Sequence, residues 1–102
     1  MPENERRIRS RLARLIANFP VIRGSIQQRE RTCGKANCRC AKGEKHTSLY
    51  LVARDEGKYQ QLFIPKDLEN HARRWAQDYQ EARDLLEQLS KLCWERLKRR
   101  EP

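Results

Sequence analysis

Apolar positions along the chain change period twice, and each change marks a boundary between elements. Over residues 3–18, Ile8, Leu12, Leu15 and Ile16 recur at i, i+4, i+7 and i+8, which predicts an amphipathic helix that Phe19 and Pro20 close. Beyond Pro20 the period shortens to two: Ile22 and Ile26 share one parity, while Arg23, Gln27, Arg29 and Arg31 share the other. A strand over 24–32 with one apolar and one arginine-bearing face is expected, and its charged face suits a sheet edge. Two further runs rich in β-formers, Ser48 to Arg54 and Lys58 to Ile64, flank Asp55-Glu56-Gly57 and predict a hairpin. Leu49, Leu51 and Ala53 take one parity of the first run, and Tyr50 and Val52 take the other, so both faces of the sheet carry apolar residues. Tyr50 and Tyr59 are expected in the core, the commoner place for strand aromatics, rather than as base-stacking surfaces.

From Pro65 the period returns to that of a helix. Proline suits a first helical turn, Asp67 and Glu69 suit the positive end of the helix dipole, and Arg96, Lys98, Arg99 and Arg100 suit the negative end. Leu68, Ala72, Trp75, Tyr79, Ala82, Leu86, Leu89 and Cys93 follow at alternating steps of four and three, a coiled-coil-like seam. At about 1.5 Å per residue this helix is about twice as long as the N-terminal one, which leaves part of the seam without cover. A homodimer or a helical protein partner is therefore expected, with Leu68, Trp75, Tyr79, Leu86, Leu89, Leu92 and Cys93 at the interface. The predicted class is α+β in one domain over 1–102. It comprises a basic helix at 3–18, a three-stranded antiparallel sheet with a zinc knuckle at 24–64, and a long helix at 65–100.

The knuckle is the run Cys33 to His46, which holds three of the four cysteines. Cys33, Cys38, Cys40 and His46 have the residue types and spacing of a tetrahedral structural zinc site. His71 and Cys93 are the alternatives for the fourth ligand. The knuckle feeds the strand whose neighbour ends at Pro65, so the metal belongs near the start of the long helix and Cys93 lies far along it. Two disulfides are the competing use of four cysteines. The N-terminus, Met-Pro-Glu-Asn-Glu-Arg-Arg, lacks the apolar core of a secretory signal, and no apolar run approaches the roughly 18 residues of a membrane span. A reducing cytoplasm is expected, where clustered cysteines serve metals. Glu44 is the one acid inside the knuckle, and it stands among lysines. No His-x-Glu deaminase pair, Gly-Lys-Ser/Thr phosphate loop or Gly-x-Ser-x-Gly turn is present, so no enzyme is predicted.

Charge adds a partner to this picture. The net charge is +9, and residues 1–46 carry +8 of it, with 12 Lys and Arg against 4 Asp and Glu. Such a field suits a polyanion, by steering and by counterion release. The expected function is a zinc-stabilised nucleic-acid-binding accessory protein that contacts DNA or RNA mainly through phosphates. Arg23, Arg29, Arg31, Lys35, Arg39, Lys42 and Lys45 are the expected contacts, with Arg7, Arg11 and Arg14 in support. The alternative is a protein-interaction adaptor whose long helix recruits a partner into a larger complex.

One pattern unites these segments. Gly24-Ser25, Cys33-Gly-Lys-x-x-Cys38-x-Cys40-Ala-Lys-Gly43-x-x-His46, Tyr50, Gly57-Lys58, Ile64-Pro65-Lys66-Asp67-Leu68 and Trp75 together resemble a family of small bacterial proteins known as a domain of unknown function. The resemblance spans about residues 24–95. It implies His46 as the fourth ligand and a role as an accessory protein of mobile or phage-like elements, and it brings no established activity. Where the family's pattern has Gly-Pro after the histidine, this chain has Thr47-Ser48.

Overall fold

The computed structural model of the protein describes residues 3–31 and 46–102. Its elements are helix α1 (Glu3–Asn18), strands β1 (Ser25–Arg31), β2 (His46–Asp55) and β3 (Lys58–Ile64), a 3₁₀ turn (Lys66–Leu68) and helix α2 (Glu69–Lys98). The three strands form one antiparallel sheet in the order β1-β2-β3. The α+β class and the edge position of β1 agree with the sequence pattern. Pro65 precedes a 3₁₀ turn in which Leu68 N donates to Pro65 O at 3.0 Å, so α2 itself begins at Glu69. No helix among the described residues is long and apolar enough to cross a membrane.

The chain packs as two compact units, one formed by Met1–Ile22 with Trp75–Pro102 and the other by Arg23–Arg74. In the sheet unit the hairpin turn is fixed by geometry. Asp55 pairs with Lys58, and the two residues between them, Glu56 (φ 52°) and Gly57 (φ 79°), both have positive φ. That is the type I′ combination, whose twist matches the strands it joins. Its core is small: Leu49 (2% exposed), Ile64 and Ala72 are buried, with Ile26 and Leu51 packed against them.

Gly24 sets the entry to β1. Its φ is +153°, and a Cβ there would stand 2.8 Å from Leu51 Cδ1 and 3.0 Å from the backbone oxygen of Val52. The leucine methyl can shift, but the carbonyl belongs to the central strand and is held by it. Gly24→Ala is expected to destabilise the sheet unit by about 1–3 kcal/mol, through overpacking and a strained φ. Urea unfolding followed by an amide-exchange probe in β2 measures this, and an unchanged midpoint would show that the strand entry has room.

In the helical unit, α1 carries Glu3 and Glu5 in its first turn, where they complement the helix dipole. Ile22 N donates to Trp75 O at 3.1 Å, tying the chain beyond α1 to α2. The end of α2 is a Schellman motif: Glu101 N donates to Arg96 O at 2.9 Å and Arg100 N to Leu97 O at 3.0 Å, with Arg100 at φ 58°.

Glu5 is fully buried. Its Oε1 accepts from Arg96 Nη1 at 2.7 Å, Arg9 Nε stands 3.9 Å from Oε2, and Oε2 has no hydrogen-bond partner.

Candidate nucleic-acid interface

Residues opposite one another in an antiparallel sheet share a face, so the register sorts the strands into two surfaces. Gln28, Leu49 and Ile64 form one rung, and Ile26, Leu51 and Leu62 another. Leu49, Ile64, Ile26 and Leu51 of this face pack with Ala72, whereas Leu62 is 62% exposed. The opposite face takes Gln27, Tyr50 and Phe63 on one rung, Ser25, Val52 and Gln61 on the next, and Arg54 with Tyr59 on the last. Arg29 stands opposite Ser48 on this second face. The two strand acids, Glu30 and Asp55, both fall at positions of the first face, so no position of the second face is acidic.

The second face is built around one guanidinium. Arg29 Cζ lies 4.5 Å from the centroid of the Tyr50 ring, the geometry of a cation–π contact. Arg29 Nη2 donates to Gln61 Oε1 at 2.7 Å and to Gln27 Oε1 at 3.1 Å, so amides from both edge strands hold it over the central strand. Tyr50 in turn meets Phe63 edge to face, with centroids 5.7 Å apart and planes at 68°. Phe63 remains 50% exposed and Tyr59 57% exposed, Tyr50 is half-buried, and Val52 is buried. The expectation of a core aromatic is therefore corrected for Tyr59, while Tyr50 is partly buried. Parity groups residues by face, but which face the rest of the unit covers is decided by Ala72 and the leucines opposite it.

The other expected contacts are placed unevenly. Arg23 Nη2 donates to Arg54 O at 2.7 Å, at the hairpin end of the sheet. On α1, Arg7 Nη2 donates to Glu3 Oε1 at 3.2 Å and Arg11 Nε to Glu81 Oε1 at 2.7 Å, so both already have carboxylate partners. Arg14 is exposed on the same helix. Arg31 ends β1 opposite His46. Lys35, Arg39, Lys42 and Lys45 lie outside the described residues, as do Cys33, Cys38 and Cys40.

Of the four expected zinc ligands, His46 is described by its backbone, at the first residue of β2. Arg31 and His46 are register partners, so the chain that leaves β1 and the chain that enters β2 are neighbours there. Cys33 follows Arg31 by two residues in sequence, and His46 is on the rung itself. Lys66 Nζ donates to Thr47 O at 3.2 Å, which brings the 3₁₀ turn to the same end of β2. Among the described residues no cluster of three or more His, Cys, Asp or Glu side chains is arranged to hold a metal ion. Cys93 is exposed and free in the last third of α2.

The positions of the expected helical seam differ in exposure within the single chain. Leu89 is buried within the single chain, and Leu85, Leu92 and Arg96 are partly buried at its steps of four and three, whereas Leu86 and Cys93 are exposed. Trp75 and Tyr79 are partly buried and Leu68 is exposed. A groove of about 350 Å³ in the helical unit is lined by Leu12, Ile16, Val21, Tyr79, Ala82 and Leu86 with Arg83. Leu89 is thus part of this unit's own interior, because the apolar stripe of α2 is wider than one seam and α1 takes one edge of it.

Comparison with known families follows from this architecture. The family profile described as a domain of unknown function, DUF6788, matches residues 2–74. The chain belongs to this family. The match differs in extent from the 24–95 span of the sequence resemblance: it takes in α1 and ends at Arg74, where the sheet unit ends. The family segment thus contains all of the sheet unit and only the N-terminal part of the helical one. No curated protein and no solved structure matched the chain.

Proposed function

We propose that this member of the family is a zinc-stabilised nucleic-acid-binding module that holds its partner mainly through phosphates. The observation that carries the reading is the acid-free face of the sheet, where Arg29 is held by two glutamines over Tyr50 and Arg54 shares the surface. A fixed guanidinium presents paired donors to a phosphate at little ordering cost. Salt bridges already occupy Arg7 and Arg11, so α1 is secondary in this reading.

Zinc has a structural part here. Cys33, Cys38, Cys40 and His46 would hold it, and the rung at Arg31 and His46 supports the fit, because two of the four donors arise within two residues of one sheet end. Four protein donors leave no open position on a tetrahedral ion, so the ion's contribution is cohesion of the sheet end and not reaction chemistry.

The test is fluorescence anisotropy with labelled duplex and single-stranded oligonucleotides at 50 and 200 mM salt. With about four phosphate contacts, affinity should fall on the order of 100-fold across that range. Arg29→Glu should lower affinity at least tenfold with the helix content unchanged. Binding that stays constant across the salt range, or that ignores Arg29→Glu, would sink the reading.

A second reading is self-association. Leu86, Cys93 and Leu97 recur at steps of seven and four along α2, and Leu86 and Leu97 are 56% and 74% exposed. Native mass spectrometry of the same samples discriminates: Leu86→Glu would abolish a dimer while leaving nucleic-acid affinity within twofold.

A further inference from the structure

We infer that the open face of the sheet is a base-stacking platform, and that the partner is single-stranded nucleic acid whose unpaired bases lie on Phe63 and Tyr59 and on the Arg29–Tyr50 stack. The inference rests on the nucleic-acid reading and narrows it to the class of strand.

Three observations converge. The first is the placement of the aromatics. Tyr50, Tyr59 and Phe63 share one face by register, and Phe63 and Tyr59 leave half or more of their surface open. Leu49 and Ile64, which pair with each other on the opposite face of β2 and β3, are buried. The sheet keeps the Leu49–Ile64 rung inside; Leu62 on that face is 62% exposed and Val52 on the other is buried, so it is the two rings of β3, Phe63 and Tyr59, that open the second face. Aliphatic side chains serve a core as well as aromatic ones do; only aromatic rings offer a π face to a base.

The second observation is orientation. Tyr50 is contacted by Phe63 edge to face and by the Arg29 guanidinium over its ring, so the two rings and the cation brace one another across neighbouring strands about 4.8 Å apart. Single-strand binders built on sheets stack successive bases on aromatics of adjacent strands and on arginine planes. Along β3, Phe63 and Tyr59 are four residues apart, about 13 Å at 3.3 Å per residue, which leaves room for separate bases.

The third observation is polarity. Gln27 and Gln61 flank the aromatics, and both place Oε1 on Arg29. Each glutamine also carries an Nε2 amide donor, a group that reaches acceptors on an unpaired base edge. The face holds no acid, and Arg29 and Arg54 supply charge complementary to a phosphate chain. An apolar peptide would gain nothing from this pattern of cations and amides, whereas a strand with alternating flat bases and phosphates matches each part of it. A duplex matches less of it, because its bases are stacked on each other and only its phosphates reach the surface.

The experiment uses the full chain with three fluorescein-labelled probes: a 15-residue oligothymidylate, a 15-residue oligouridylate and a 15-base-pair DNA duplex, all at 100 mM salt. Either single strand should bind at least tenfold more tightly than the duplex. The two single strands differ in the 2′-hydroxyl and in the C5 methyl of the base, and the platform binds either because each offers unpaired flat bases. Phe63→Ala should weaken single-strand binding roughly five- to one-hundred-fold and change duplex binding less than twofold. Phe63→Leu keeps an apolar side chain without a π face and should behave as Phe63→Ala does, so a folding defect in the alanine variant does not obscure the result. Far-UV circular dichroism checks that both variants are folded. Equal affinity for all three probes, or single-strand affinity indifferent to Phe63→Leu, overturns the platform and leaves a phosphate-binding surface standing. Absence of binding to every probe overturns the nucleic-acid reading itself, and the platform with it.

Discussion

Cys38→Ser should release zinc and unfold the sheet unit while the helix signal of the rest of the chain persists. The sheet unit comprises about 50 residues, Arg23–Arg74, and among its described residues the core cluster is Leu49, Ile64 and Ala72. A domain this small rarely gains more than about 3–5 kcal/mol from its core alone. Structural zinc sites contribute apparent binding energies on the order of 10 kcal/mol, and that energy is folding energy where the site forms only on folding. Loss of one of three thiolates in the proposed four-ligand site therefore outweighs any single change in the sheet's packing. The measurements are zinc content by atomic absorption and amide exchange across β2 and β3. Cys93→Ser is the control and should keep both zinc and protection. Protection that survives Cys38→Ser and chelator alike would mean that the hairpin stands without a metal.

The second large effect concerns Glu5 and Arg96. Glu5 is fully buried, and its one hydrogen bond runs from Arg96 Nη1 at 2.7 Å. Arg96→Met leaves the carboxylate without that donor, beside an oxygen that already has none. Breaking a buried pair on one side costs about 3–5 kcal/mol, and the partial exposure of Arg96 places the expected loss near the lower end. The double change Glu5→Leu with Arg96→Met removes both charges and should recover most of that loss, since apolar replacement of a buried pair is often neutral or better. Urea unfolding of Glu5→Leu, Arg96→Met and the double variant measures the cycle. Equal destabilisation by single and double changes would show that shape, not charge, sets the energy at this site.

Much of the architecture is legible in residue order because local chemistry sets it. Ile8, Leu12, Leu15 and Ile16 mark α1, and Asp55-Glu56-Gly57 marks the hairpin whose turn then adopts two positive φ values. What the sequence withholds is which of several similar faces is covered. In α2, Leu85 and Leu86 are adjacent, as are Leu92 and Cys93, so periodicity alone admits two stripes that share Leu89, and within the single chain the one through Leu85, Leu89 and Leu92 is the more buried. On the sheet, parity groups Tyr50 with Phe63, yet only the burial of Leu49 and Ile64 shows which side is the core. The arginine on Tyr50 lies two strand rungs from where a linear reading sees it, and its amide clamps come from opposite edges of the sheet. The burial of Glu5 has no sequence signal at all, because its partner stands 91 residues away.

That separation has a consequence for how the chain is made. The first 22 residues pack with residues from Trp75 onward, so the sheet unit sits in sequence between two parts of the helical one. At about 5–20 residues per second, Arg96 is synthesised several seconds after Glu5. Throughout that interval α1 exists as a nascent 16-residue segment with a charged side chain destined for an interior not yet made, near the length at which an isolated helix is marginal in water. The whole Arg23–Arg74 stretch has meanwhile been translated. The hairpin and its neighbour strand are therefore translated before α2 is complete, and the Glu5–Arg96 contact between α1 and α2 forms only after Arg96 has been made.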